Sequence, residues 1–172
     1  GDSCCVMGRI AAPFSALGLV YGIDTLLLAM FEQPDLLRDN LRFFTEHQIA
    51  FGRAQQEAGA DVLWLGDCVA DSTFLSPQWF AEFAQIPAAE VAGTLTASGG
   101  LVIYHTCETS LPHLELQTKL PASAVNVGEG VNIAAIRQAL GPNKCLTGNF
   151  DPVLLRDGTP DQVAEETVKM IT

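Results

Sequence analysis

With 172 residues, 48% hydrophobic and only 17% charged, the chain carries enough apolar material for one domain with a sizeable core, and disorder is excluded. A formal net charge of −11 argues against a nucleic-acid backbone or an anionic membrane surface as partner, since both recruit Lys and Arg. No apolar run approaches the length of a membrane span and no basic-plus-apolar leader opens the chain, while the five cysteines (Cys4, Cys5, Cys68, Cys107 and Cys145) are odd in number and scattered, which fits a reducing cytoplasm rather than a secreted disulfide framework.

Residues 5–10 form a short strand candidate, closed by Ala12-Pro13, where proline disfavours helix at the residue before it. Residues 14–30 are apolar almost all round and predict a buried helix, broken at Gly22. Pro34 suits a first helical turn. Leu37, Leu41, Phe44, Phe51, Ala54 and Ala58 then recur at three, four or seven residues, which predicts a long amphipathic helix ended by Gly59. Residues 61–65 are the next strand, followed by a loop of small and acidic residues, and Ser76-Pro77-Gln78 opens another helix. Gly99 and Gly100 precede Leu101-Val-Ile-Tyr104, an apolar and partly β-branched run that reads as a fully buried parallel strand. A helix over 111–120, a strand over 124–127 and a helix over 133–140, stopped by Gly141-Pro142, follow. Residues 144–147 are the last strand, Asp151-Pro152 opens a short helix, and Thr159-Pro-Asp-Gln162 is a capping-box start for the final one.

Strands thus alternate with helices and no hairpin pair occurs, which means parallel βαβ crossovers. There is no Gly-x-Gly-x-x-Gly after the first strand and no phosphate-loop lysine, so a dinucleotide fold is disfavoured. The fold expected is α/β, part of an eight-stranded β/α barrel, with about five parallel strands as an open arc because five cannot close it. Residues 1–172 are read as a single, incomplete barrel domain whose two ends look cut from something larger.

In such barrels the chemistry gathers at the C-terminal ends of the strands. Those ends carry Asp67, then His105 and Cys107, then Glu129, then Asn149 and Asp151. In extended chain, residues i and i+2 share a face, so the His105 imidazole and the Cys107 thiol point the same way and can hold one zinc ion. A buried cysteine beside a hydrogen-bonded histidine fits the same pattern. Asp67 with Asp71 serves equally to solvate a loop, Glu129 between two glycines also fits an exposed turn carboxylate, and Asp151 before Pro152 is well explained as a helix cap. Asn149 is equally able to satisfy loop amides. Cys145, Cys4 and Cys5 are expected in the core, His47 and His113 in solvent, and Cys68 fits either role.

These residues carry a family resemblance. Met7-Gly-Arg-Ile-Ala-Ala-Pro-Phe-Ser15 resembles the Gly-x-x-x-Ala-Pro-Trp-Thr segment of uroporphyrinogen decarboxylases, and Gly148-Asn-Phe-Asp-Pro152 resembles that superfamily's Gly-Asn-(Leu/Ile)-Asp-Pro. Ala58-Gly-Ala-Asp61 and Val127-Gly-Glu-Gly130 also fit, so the resemblance covers essentially the whole chain and implies a β/α barrel about twice this long.

Two branches of the superfamily compete. Uroporphyrinogen decarboxylases, carboxy-lyases of porphyrin biosynthesis, use no metal or organic cofactor; the tyrosine that follows their Ala-Pro-Trp-Thr segment is Leu19 here. The cobalamin-dependent methyltransferases of the methylcobamide:coenzyme M type carry His-x-Cys at a mid-barrel strand end and a second cysteine much later, together binding zinc. His105-Thr-Cys107 matches the first half, and Glu129 stands where a carboxylate ligand is expected; Asp67 and Asn149 are the expected substrate-binding residues. Many relatives read Cys-Gly-Asn after the histidine, whereas this chain has Cys107-Glu108-Thr109, which bears on the loop and on the charge of the pocket. The branch implies methylcobamide as co-substrate, a corrinoid protein as partner and a thiol or similar small molecule as methyl acceptor. The later cysteine has no counterpart before Thr172, so zinc is expected to bind weakly or not at all. A non-catalytic binding protein on the same barrel is the third reading.

Overall fold

The computed structural model describes residues 4–171. Five strands, β1 (Met7–Ala11), β2 (Val62–Gly66), β3 (Leu101–His105), β4 (Ala124–Asn126) and β5 (Cys145–Thr147), lie side by side in chain order, and every neighbouring pair is parallel. A doubly wound sheet would reverse its strand order at a switch point; an arc in which each strand pairs with the next is the arrangement of a β/α barrel. The fold is therefore α/β, five successive parallel strands of the barrel type, as the sequence leads one to expect.

Between β1 and β2 run α1 (Pro13–Tyr21), α2 (Ile23–Glu32) and α3 (Pro34–Glu57). The apolar stretch breaks at Gly22, as its sequence leads one to expect, into two helices turned through 112°. Gly22 has φ +87°, a backbone setting that costs a residue with a side chain far more than it costs glycine. Among the described residues no single helix is long and apolar enough to cross a membrane.

The helix opened by Ser76, whose hydroxyl accepts from the Trp79 amide at 3.3 Å, is less regular than its pattern. It begins as α4 (Pro77–Trp79), widens into a π-helical stretch over Phe80–Gln85, and continues as α5 (Ile86–Ala97). Pro87 has no N–H to return to the preceding turn and its ring crowds that turn's carbonyl, and the widened stretch lies immediately upstream of it. The later helices are α6 (Leu111–Gln117), α7 (Ile133–Leu140), α8 (Pro152–Asp157) and α9 (Pro160–Ile171). Asp151 caps α8 through the Val153 amide at 2.7 Å. Thr159 and Gln162 form the reciprocal capping box, at 2.8 and 3.3 Å.

The register sorts strand residues onto two faces. Ile10, Leu65, Tyr104 and Val125 occupy one row, and with Leu63 and Val102 they are buried. Most of these pack beneath the helices, in a core shared with Leu41 of α3 and Leu95 of α5. A smaller cluster gathers Leu114, Val125 and Val127. The opposite face carries Arg9 and Trp64 in one row, then Ala11, Gly66, His105, Asn126 and Thr147 in the next. That second row forms the C-terminal edge of the sheet, and the polar residues gather there.

The burial expected of four residues is corrected. Cys4, Cys5 and Cys145 are exposed: the first two precede β1, and the third opens β5, which lies at the end of the five-strand order. His113, expected in solvent, is buried on α6. His47 is exposed on α3, as expected.

Candidate metal centre

The site is built on the last residue of β3. His105 Nδ1 lies 2.6 Å from Asn126 Oδ1, one strand away in the same row, and Asn126 in turn donates Nδ2 to Thr147 Oγ1 at 3.2 Å. An amide oxygen only accepts, so this network puts the imidazole proton on Nδ1 and leaves the lone pair on Nε2. Trp64 packs its ring 4.7 Å from the imidazole and tilted by 38°. Burial holds the His105 pKa below the usual histidine range, with a smaller push from Arg9 in the same direction. A neutral imidazole with its Nε2 lone pair free is the form that binds metals.

Cys107 Sγ lies 3.0 Å from that Nε2. The reason differs from the alternation the sequence implied. β3 ends at His105, and Cys107 sits in a turn with φ +58°, a left-handed setting uncommon for a residue with a side chain. Its neighbours hold it there. Thr106 is buried and accepts from Gln117 Nε2 at 2.7 Å. Glu108 is buried and accepts from the Ser72 amide and hydroxyl and from the Thr109 amide, each at 2.8 Å. The glutamate that departs from the Cys-Gly-Asn pattern thus ties two loops together rather than adding its charge to a cavity wall.

Cys68 comes from the neighbouring strand end. It opens a 3₁₀ turn, Cys68–Ala70, whose Val69 amide donates to Ser15 Oγ at 3.0 Å. Its thiol lies 3.7 Å from Cys107 Sγ, and the donor atoms of Cys68, His105 and Cys107 all fall within 4.8 Å of one another. Burial pushes the Cys107 thiol up to about 12, and Cys68, Asp71 and Glu129 push it the same way. Without a cation this pocket disfavours a second negative charge; a bound divalent ion reverses that balance and takes the thiolate as ligand. One imidazole and two sulfurs are the donors zinc selects, so the residues fit that metal.

The other expected site residues are distributed differently. Asp67 has no exposed surface: Oδ1 accepts from the Ser15 amide at 3.1 Å and Oδ2 from the Tyr104 hydroxyl at 2.7 Å, and burial raises its pKa to about 6. It anchors the loop that carries Cys68, with both carboxylate oxygens engaged within the chain. Glu129 lies outside the close trio but lines a cavity of about 390 Å³ together with His105, Cys107, Asn126 and Asn149. Asn149 uses Nδ2 to donate to Val131 O at 2.7 Å, the loop-satisfying role, while still lining that cavity.

The family model for uroporphyrinogen decarboxylase (URO-D) matches residues 1–172. The chain belongs to the URO-D family. Within it, the chain is 23% identical over 172 residues to the methylcobamide:CoM methyltransferase MtbA of Methanosarcina acetivorans, covering 99% of this chain and 50% of that protein. It is 34% identical over 122 residues to the uroporphyrinogen decarboxylase of Chlorobium phaeovibrioides, covering 69% of this chain and 33% of that protein. A solved methyltransferase from Methanosarcina mazei superposes with a TM-score of 0.80 at 23% identity, over 87% of this chain and 44% of that one. The chain therefore spans about half the length of the curated relatives it matches most fully.

Two residues of this URO-D site stood out only weakly in the sequence. Asn126 is the one polar residue of a strand otherwise written Ala-Val, a signal that was available at the end of β4. Cys68 follows Asp67 in a loop, and nothing in its immediate sequence says that the loop folds back onto Cys107.

Proposed function

We propose that this URO-D family chain carries the metal site of a zinc-dependent methyltransferase that moves a methyl group from a corrinoid (methylcobamide) protein to a thiol or similar acceptor. The observation that carries the reading is the pairing of His105 Nε2 and Cys107 Sγ at 3.0 Å, with the other ring nitrogen tied to Asn126. A cofactor-free decarboxylase has no evident use for an oriented imidazole beside a thiol. The similarity to methylcobamide:CoM methyltransferases along 99% of the chain supports the same branch.

Bound to His105 and Cys107, zinc would supply Lewis acidity that lowers the pKa of the acceptor thiol and yields a thiolate at neutral pH. The chain's own residues do the rest. Asn126 fixes the tautomer and direction of His105, and Trp64 covers one side of the ring. Glu129 and Asn149 line the adjoining cavity, where Glu129 adds a carboxylate beside the metal ligands and both meet the acceptor. Transfer is a direct displacement: the carbon–cobalt bond breaks, its electron pair stays on the corrinoid, and the sulfur–carbon bond forms.

The second reading, a porphyrinogen carboxy-lyase, is favoured by the 34% identity to a uroporphyrinogen decarboxylase. The test offers the zinc-loaded protein methylcobalamin with a small thiol, and separately uroporphyrinogen. Zinc-dependent thioether formation supports methyl transfer. Release of carbon dioxide from the porphyrinogen, with no methylated thiol, would transfer the assignment to the lyase branch.

A further inference from the structure

The resemblance leaves the pair His105 and Cys107 waiting for a sulfur from beyond Thr172. The structure offers a nearer one. We infer that Cys68 is the third metal-binding side chain, so that two thiolates and one imidazole, all from the ends of β2 and β3, hold a soft divalent cation within this chain. The inference rests on the reading of this site as a metal centre and assigns it a ligand from a different strand.

The first support is distance. Two zinc–sulfur bonds of about 2.3 Å at the tetrahedral angle set their sulfurs about 3.8 Å apart. Cys68 Sγ and Cys107 Sγ lie 3.7 Å apart. A disulfide would need about 2.0 Å. By the same arithmetic an imidazole nitrogen and a thiolate on one zinc ion lie about 3.5 Å apart, so His105 and Cys107, at 3.0 Å, need only a small opening, and Cys68 and His105 lie within 4.8 Å of each other.

The second support is register. Gly66 of β2 pairs with His105 of β3, and the Asp67 amide extends the ladder by one step, donating to His105 O at 2.7 Å. Cys68 and Cys107 are each two residues beyond that pair. Both cysteines therefore lie the same number of residues past one paired step of adjacent strands.

The third support is that Cys68 is held, not merely near. The carboxylate of the preceding residue is locked by Ser15 and Tyr104, and the amide of the following residue by the Ser15 hydroxyl. A ligand set of this kind leaves the fourth position open for an acceptor sulfur. It also removes the ground for expecting weak zinc binding, since no ligand from another segment is required.

The experiment titrates zinc and cobalt(II) into the wild-type protein and into Cys68→Ser, Cys107→Ser, Cys68→Asp and Cys145→Ser. Zinc affinity is read by competition with a chromogenic chelator, thiolate count by the near-ultraviolet sulfur-to-cobalt band, and folding by thermal melting. We expect one zinc per wild-type chain. Cys68→Ser should weaken zinc by more than the 10- to 100-fold that loss of an orienting partner brings, and halve the cobalt band as Cys107→Ser does. Cys68→Asp should recover much of the affinity with the band still halved, and Cys145→Ser should change neither. If Cys68→Ser keeps wild-type affinity and a full band while Cys107→Ser loses both, the inference is wrong and the metal reading survives. If the wild-type protein binds no zinc, both are wrong.

Discussion

Asn126 makes no contact with a metal in the proposed site, yet the direction of His105 depends on it. Its Oδ1 is 2.6 Å from Nδ1. Removing that acceptor in Asn126→Ala frees the imidazole to change tautomer and to rotate against Trp64. Zinc affinity should fall by about 10- to 100-fold, with the melting temperature of the metal-free protein little changed; chelator competition on the variant checks both halves. His113 shows the opposite arrangement. Both ring nitrogens are buried without a hydrogen-bond partner among the described residues, against the ring of Phe80 at 5.6 Å. A buried polar group left unpaired costs about 1–3 kcal/mol, so His113→Leu should leave stability unchanged or raise it by about that amount in denaturant unfolding. A clear destabilisation would mean that the ring is paired in solution. Polarity alone directed this histidine outward in the sequence. The structure buries His113, Leu114 and Gln117 together on one side of α6, an arrangement in which two polar residues break the apolar pattern.

Elements were legible where one local rule decided them, and misread where two segments had to meet. The caps at Ser76, Asp151 and Thr159 lie where Ser, Asp and Thr stand before proline. The break at Gly22 was legible from its glycine, whereas the size of the 112° bend and the widened turn ahead of Pro87 are not carried by periodicity. The turn after β3 is the most instructive case. Alternation along a strand put His105 and Cys107 on one face, but the strand stops at His105. Their contact is made by a left-handed turn instead, clamped through Glu108 and Ser72. Gly128 closes that clamp from β4's side: its amide donates to Glu108 O at 2.8 Å, and a Cβ there would stand 2.5 Å from Cys107 O. Backbone cannot yield as a side-chain tip does. Gly128→Ala should therefore displace the Cys107 turn, costing about 1–3 kcal/mol in stability and weakening zinc binding together, whereas Gly130→Ala should leave zinc binding far less affected. Nothing lies within 4 Å of a Cβ at Gly130, although its φ of +80° carries a strain of its own.

At the scale of the whole molecule, the alternation of strands and helices was enough to give five parallel strands in order, because crossover connections leave few other arrangements. Which loops of that arc touch is a tertiary fact: it brings Cys68 beside Cys107 and ties Asp67 to Ser15 and Tyr104. The proposed metal therefore joins two neighbouring strand ends that the chain brings together only by folding the 33-residue path from Cys68 to Gly100 correctly. A ligand that binds the folded form and not the unfolded one stabilises it by about 2.7 kcal/mol at one hundred times its Kd. For a domain of this size each kcal/mol moves the melting temperature by roughly 2–4 °C. Zinc at that concentration should raise the melting temperature by roughly 5–11 °C, and a chelator should return it to the metal-free value. Cys107→Ser and His105→Ala should show almost none of the increase. A shift of equal size in those variants would locate the ion elsewhere on this acidic chain, whose formal charge of −11 offers many weak sites for a cation.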